Sequence, residues 1–175
     1  MKNILVVVDM QNDFIDEALG TKQAVEIVDN VVRKIKAFCG DIIVTKDTHF
    51  ENYLESAEGK KLPVEHCIKD THGWQINSDV QNSLDTKDNV RYIEKLTFGS
   101  VDLPEIIREI SGDDDFSVEL VGLCTDICVV SNALLVKANF PEKQITVDSS
   151  CCAGVTPESH QAALTTMQMC QIDII

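Results

Sequence analysis

The chain has 175 residues, 44% of them hydrophobic, which suits one domain able to bury a core without disulfides or structural metals. Fifteen Lys and Arg stand against 29 Asp and Glu, a net charge of −14, which argues against a nucleic-acid partner and reads as a solvated acidic surface. No apolar window reaches the length of a membrane span, and Met1 to Asp9 lacks the apolar length and cleavage site of a signal peptide, so the expected location is the cytoplasm, with no membrane partner.

Ile4 to Val8 is a short β-branched run that predicts a buried strand ending at Asp9. From Lys22 to Phe38, residues Ala24, Val28, Val31, Ile35 and Phe38 recur at helical spacing, and Gly40 follows as a stop signal. Asp41 to Thr45 predicts a second strand. Residues 46 to 88 are polar and without clear period, a length of connection that is often functional. Val90 to Ile93 predicts a third strand. Asp102, Pro104 and Glu105 form a cap-then-proline pattern with a capping box, ahead of a stripe of Leu103, Ile106, Ile107 and Ile110. Phe116 to Val121 predicts a fourth strand, and a helix is expected from about Asp126 to Asn139. Gln144 to Val147 predicts a fifth strand, Thr156-Pro157 opens another helix, and Gln171 to Ile175 closes the chain as a short strand.

Strand and helix thus alternate. The expected fold is a single domain over residues 1–175, a three-layer α/β/α sandwich around a mostly parallel, Rossmann-like sheet of about six strands. In such folds ligands bind beyond the C-terminal ends of the strands. Asp9, Lys95 and the segment Cys124 to Cys128 all fall at or just past such ends. No G-x-G-x-x-G follows the first strand and no Walker lysine loop exists, so no organic cofactor is expected.

Seven cysteines occur, an odd number in a chain without a secretion signal, so a disulfide framework is not expected. Cys128 differs from the others in lying at an expected helix N-terminus, two residues after Asp126. There the helix dipole and free N–H groups favour a thiolate, and a nearby lysine would add to that. A carboxylate within reach could shuttle the proton to a leaving group. Taken singly, each residue has a plainer reading: a packed thiol, a turn-capping aspartate, an exposed strand-end lysine. Their joint placement is what suggests a nucleophile, an acid–base group and a cation. The vicinal pair Cys151-Cys152, after the fifth strand, is expected to line the pocket floor.

Several segments resemble a known family. Asp9-Met-Gln-Asn-Asp-Phe14 is similar to the D-x-Q-x-D-F opening of the isochorismatase-like cysteine hydrolases, and Gly122-Leu-Cys-Thr-Asp-Ile-Cys128-Val to their G-x-x-T-D-x-C-V segment. Tyr92-Ile-Glu-Lys95 with Phe98-Gly-Ser100 resembles their lysine strand and loop. Asp47-Thr-His49 and Leu62-Pro-Val-Glu-His66-Cys-Ile resemble segments of the nicotinamidase branch. The likeness runs the length of the chain in the right order.

The resemblance implies a cysteine-dependent amidohydrolase acting on a small linear amide, nicotinamide or a related carboxamide, with ammonia released. Asp9 would take the Cys128 proton, or Cys128 would already be a thiolate paired with Lys95; the sulfur would attack the carbonyl and form a thioester, with Asp9 as acid and base. A cis peptide between Leu123 and Cys124 would turn the N–H groups of Cys124 and Cys128 toward an oxyanion. Phe14 would pack on the substrate, and Leu62 holds a place that is often aromatic in nicotinamidases. Asp47, His49 and His66 would hold one divalent metal, Zn, Fe or Mn, with Glu58 as the best-placed further ligand ahead of Glu51 and Glu55. Homo-oligomers are common in the family and expected here. The alternatives are a hydrolase of another amide or ureido substrate, or a non-catalytic metal- or ligand-binding relative of the same fold.

Overall fold

Every residue from Ile4 to Val8 is fully buried, as a strand covered on both faces must be. These residues form the body of β1 (Lys2–Val8) in a computed structural model that describes residues 1–175. β1 lies at the centre of six parallel strands in the order β3-β2-β1-β4-β5-β6, with β2 Asp41–Asp47, β3 Val90–Lys95, β4 Phe116–Leu123, β5 Gln144–Ala153 and β6 Asp173–Ile174. The mostly parallel sheet expected from the alternation is wholly parallel.

The period-2 alternation of β1 feeds two cores. Ile4, Val6 and Val8 enter one with α4 (Leu103–Ser111), α5 (Val130–Asn139) and α6 (Pro157–Met169). Leu5 and Val7 enter the other with α1 (Asn12–Ile15), α2 (Lys22–Ala37) and α3 (Ser78–Leu84). Helices therefore cover both faces, giving the three-layer α/β/α architecture. The stripe of α2 is Ala24, Ile27, Val28, Val31 and Ile35. Val31 and Ile35 keep no exposed surface, and each such side chain contributes about 1.5–3 kcal/mol by leaving water. The Thr21 hydroxyl caps this helix by accepting from Ala24 N–H at 3.0 Å.

Several local expectations are corrected. Residues 46 to 88 are not irregular throughout: β2 runs on to Asp47, Tyr53–Glu55 forms a 3₁₀ turn, and α3 is capped by the Asn77 side chain. The apolar positions of α3 are too few to announce a helix by period. Helix α2 ends at Ala37, ahead of Gly40 as expected, with Phe38 already extended. The Asp102 side chain makes no cap, since its own backbone is helical (φ −86°, ψ −18°) and a capping residue needs an extended one. β5 is longer than predicted and contains Cys151 and Cys152, whose side chains enter opposite cores. The last strand shrinks to two residues. No helix is long and apolar enough to cross a membrane.

Candidate active site

The strand order reverses its direction of travel at β1 and β4, which opens a crevice beyond their C-terminal ends. Gly122 makes the junction possible: a Cβ there would stand 2.1 Å from Val8 O, and its φ of +118° suits only glycine. Asp9 leaves β1 in the left-handed region (φ 46°), a conformation aspartate tolerates better than most residues. Asp47 and Lys95 are the last residues of β2 and β3. Cys128 sits in a π-helical turn, Thr125–Val129, between β4 and α5.

Lys95 is the hub of these groups. Its Nζ lies 2.7 Å from Asp9 Oδ2, donates to Asp47 Oδ1 at 3.0 Å, and donates to Cys128 Sγ at 3.4 Å. Burial opposes a charge on this amine, yet Asp9, Cys128 and Asp47 hold it above the ordinary lysine value, so it is an ammonium. Thr45 Oγ1 donates to Asp9 Oδ1 at 2.7 Å. Burial pushes the Asp9 carboxyl above its usual range, and Lys95 offsets this only in part. Burial, followed by Asp9, also pushes the Cys128 thiol well above its ordinary value against the pull of Lys95. Desolvation thus opposes the thiolate that the helix start and Lys95 favour. Cys128 is nonetheless the one cysteine in hydrogen-bond contact with a lysine.

The Leu123–Cys124 peptide is cis. The Cys124 N–H that follows it donates to no acceptor within the protein. Both Cys124 and Cys128 line a cavity of about 450 Å³, together with Phe14, Leu62, Leu96 and Phe98. Phe14 is buried and forms a wall, whereas Leu62 is half-exposed at the mouth. A larger groove of about 760 Å³ runs along β5 and β6, but no cysteine or histidine lines it, so the candidate chemical groups gather at the smaller cavity. Cys151 and Cys152 do not reach that cavity, which corrects their expected place on its floor.

Asp47 joins the lysine hub to a second cluster. One ligand atom each from Asp47, His49, Glu58 and His66 lies within 4.8 Å of the others. Glu58 Oε1 is 3.7 Å from His49 Nε2 and 3.6 Å from His66 Nε2, whereas Glu51 and Glu55 take no part. His66 Nδ1 is 2.7 Å from Val64 O, which fixes Nδ1 as the protonated nitrogen and turns the Nε2 lone pair into the cluster. His49 Nε2 is buried without an aligned hydrogen-bond partner, although Asp47 Oδ2 is 2.9 Å away. An orphaned imidazole nitrogen, a second directed lone pair and two carboxylates fit a divalent cation such as Zn²⁺, Fe²⁺ or Mn²⁺.

Four supporting residues escaped the sequence reading. Gln11 Nε2 donates to Asp47 O and Trp74 O, and Gln11 Oε1 accepts from Asp47 N–H, so this buried amide pins Asp47. Tyr53 packs 4.6 Å from the His49 ring and 5.0 Å from the His66 ring, between centroids. Asp13 Oδ2 accepts from Cys67 N–H at 2.7 Å, steadying the residue after His66. Asn132 Nδ2 donates to Cys128 O at 2.8 Å while its Oδ1 accepts from Ser100 N–H, tying the Cys128 turn to the loop after β3. Gln11 and Asp13 lie inside the opening motif, which was their available signal. Tyr53 and Asn132 had none.

The isochorismatase domain family profile matches residues 3–175. The isochorismatase family protein PncA of Bacillus subtilis is 29% identical, over 94% of this chain and 93% of its own. The crystal structure of nicotinamidase/pyrazinamidase PncA from Bacillus subtilis superposes with a TM-score of 0.86 at 26% identity, covering 99% of each chain. That of the pyrazinamidase of Pyrococcus horikoshii, in complex with zinc, gives a TM-score of 0.82 at 26% identity, over 100% of this chain and 99% of the other.

Proposed function

The chain belongs to the isochorismatase domain family, and from that premise we propose that it hydrolyses the C–N bond of a small carboxamide, nicotinamide or a close relative, through a thioester on Cys128. The observation that carries this reading is the buried contact of 3.4 Å between Lys95 Nζ and Cys128 Sγ, with Asp9 on the same ammonium. The chain's similarity to a nicotinamidase/pyrazinamidase and to a pyrazinamidase supports the substrate class.

In this mechanism Asp9 takes the Cys128 proton as sulfur attacks the carbonyl carbon. Both groups have raised proton affinities, so transfer between them is better matched than it would be from an ordinary thiol to an ordinary carboxylate. The N–H groups of Cys124 and Cys128 receive the developing oxyanion, and one such donor is worth about 10²–10³ in rate. Asp9 returns the proton to the departing nitrogen, the C–N bond breaks and ammonia leaves. Water then opens the thioester, with Asp9 as base. Lys95 stays charged throughout and keeps the two carboxylates from repelling each other. Phe14 and Leu62 flank the substrate. Asp47, His49, Glu58 and His66 would hold a divalent metal, which when bound offers a Lewis-acidic anchor for a heteroatom of the substrate such as a ring nitrogen.

Ammonia release measured on nicotinamide, pyrazinamide, aliphatic carboxamides and ureido compounds, with and without chelator, tests the proposal. Turnover of at least one carboxamide that disappears in Cys128→Ala is the expected result. Absence of turnover on the whole panel, with tight binding of a metal or amide, would instead favour a non-catalytic binding relative.

A further inference from the structure

The turn that carries Cys128 is held from outside. Val129 N–H reaches back to Cys124 O at 3.0 Å, a π-type closure wider than an α turn. No side chain caps this turn within its own segment. Its first two residues bind instead to the segment that opens α6. The Thr125 hydroxyl, with no exposed surface, shares a 2.8 Å hydrogen bond with His160 Nδ1 and has no other side-chain partner. Both Asp126 carboxylate oxygens lie 3.2 Å from Val155 N–H and accept from it.

The imidazole is presented rigidly. Thr156 and Ser159 cap α6 reciprocally, and His160 N–H donates to Thr156 O at 2.9 Å. Gly154 allows the approach, because a Cβ there would stand 2.9 Å from His160 Cβ. Burial holds the His160 ring below its ordinary pKa. The ring is therefore neutral near pH 7, and in the Nε2–H tautomer its Nδ1 accepts from the Thr125 O–H. His160 does not line the substrate cavity; it borders a separate one of about 380 Å³ with Cys152 and Gly154.

We propose that His160 is a positioning residue for the nucleophile, acting through Thr125 to keep the Cys124–Cys128 backbone in its oxyanion-binding geometry. This rests on the hydrolase reading above. His160 touches neither the substrate cavity nor the thiol, so whatever it does for the reaction passes through the Thr125 hydroxyl.

Four variants test it: His160→Ala, Thr125→Val, the two together, and His160→Asn, whose amide can replace the Nδ1 contact. On the best amide substrate, kcat falls about tenfold in each single loss variant, the worth of one hydrogen bond. KM stays within a factor of about two, as for an interaction made only in the transition state. The double variant is no slower than the singles, because both remove one interaction. His160→Asn regains most of the rate. Independently of turnover, iodoacetamide labels Cys128, now 4% exposed, several-fold faster in the loss variants, followed by intact mass. Additive losses, unchanged kcat, or no rescue by asparagine overturn the proposal. If the wild type turns over no amide, the labelling rates decide alone: coupled acceleration supports the clamp, and unchanged rates remove it. If His160→Ala does not fold, Thr125→Val and His160→Asn carry the same comparison.

Discussion

Lys95 Nζ stands 2.7 Å from Asp9 Oδ2 with both side chains out of solvent, at the ends of two strands that are not neighbours in the sheet. The same ammonium reaches Asp47 on the strand between them and Cys128 beyond β4. A single buried cation thus offsets two carboxylates and contacts the nucleophile candidate. Its removal would affect stability and chemistry together.

Lys95→Met leaves Asp9 and Asp47 buried without their counter-ion. The expected cost is about 3–5 kcal/mol, because breaking a buried pair strands a charge. Urea unfolding at pH 7 measures it. Adding Asp9→Asn to Lys95→Met recovers part of the loss, since one stranded charge disappears. A cost below about 1 kcal/mol, or strict additivity, would show that the ion pair does not hold the site together.

Cys128→Ala abolishes ammonia release, and Asp9→Asn lowers kcat by about 10²–10⁴, the usual reach of a positioned acid–base group. Cys39→Ala and Cys170→Ala, at exposed thiols away from the cavity, leave kcat unchanged. Steady-state rates for the four variants check this. Retained turnover in Cys128→Ala would end the thioester mechanism.

The imidazole–carboxylate cluster predicts a stoichiometric metal. Elemental analysis of the purified protein after Zn²⁺ loading and desalting finds about one ion per chain in the wild type and none in His49→Ala/His66→Ala. Saturation at a hundredfold Kd stabilises the folded state by about 2.7 kcal/mol, so Tm rises with Zn²⁺ in the wild type alone. Equal Tm shifts in both proteins would locate the metal elsewhere. Glu58→Gln weakens binding less than the double histidine change, because it removes one of the four candidate ligands where the double variant removes two.

Away from the site, Lys34 on α2 bonds Glu119 of β4 at 2.6 Å and Asp148 of β5 at 2.8 Å. Burial alone would raise the Asp148 pKa, but bonds from Lys34 and Ser150 hold it below its ordinary value. Its stabilising contribution is present above the unfolded carboxylate value of about 3.9 and lost as pH falls through the lower folded one. Lys34 is raised despite burial, by Asp148 and Glu119, so its contribution is full below about pH 10 and lost as pH climbs further. The stability gap between wild type and Lys34→Met is therefore flat from about pH 5 to 9 and closes at acid pH. Denaturant unfolding from about pH 2 to pH 9 checks it; a gap that widens in acid would contradict this sign.

Much of the architecture was readable from local pattern. The unbroken apolar run of β1 announced a strand buried on both faces, and the 3.6-residue stripe of α2 announced its helix, because both signals come from one-dimensional pattern. The short helix α3 and the last residues of β2 were missed, since seven and two residues carry too little period against a polar background. The vicinal cysteines were misplaced for the same reason: β5 outran its apolar core, and the pairing with β4 after the register shift at Gly122 set its true end.

Asp9, Lys95 and Cys128 were legible as candidates because strand ends of a parallel sheet collect on one rim, whereas Asp47, His49, Glu58 and His66 were singled out by their resemblance to the nicotinamidase segments and lie at the end of β2 or in the loop beyond it. What only the tertiary structure decided was the environment of the Cys128 thiol and the residues that hold it. Desolvation depends on the whole surrounding volume, so no motif could report that burial pushes the Cys128 thiol upward or that Lys95 serves two acids at once. Support from Gln11, Tyr53, Asn132 and His160 likewise comes from elements far apart in the chain, where hydrogen bonds leave no trace in local spacing.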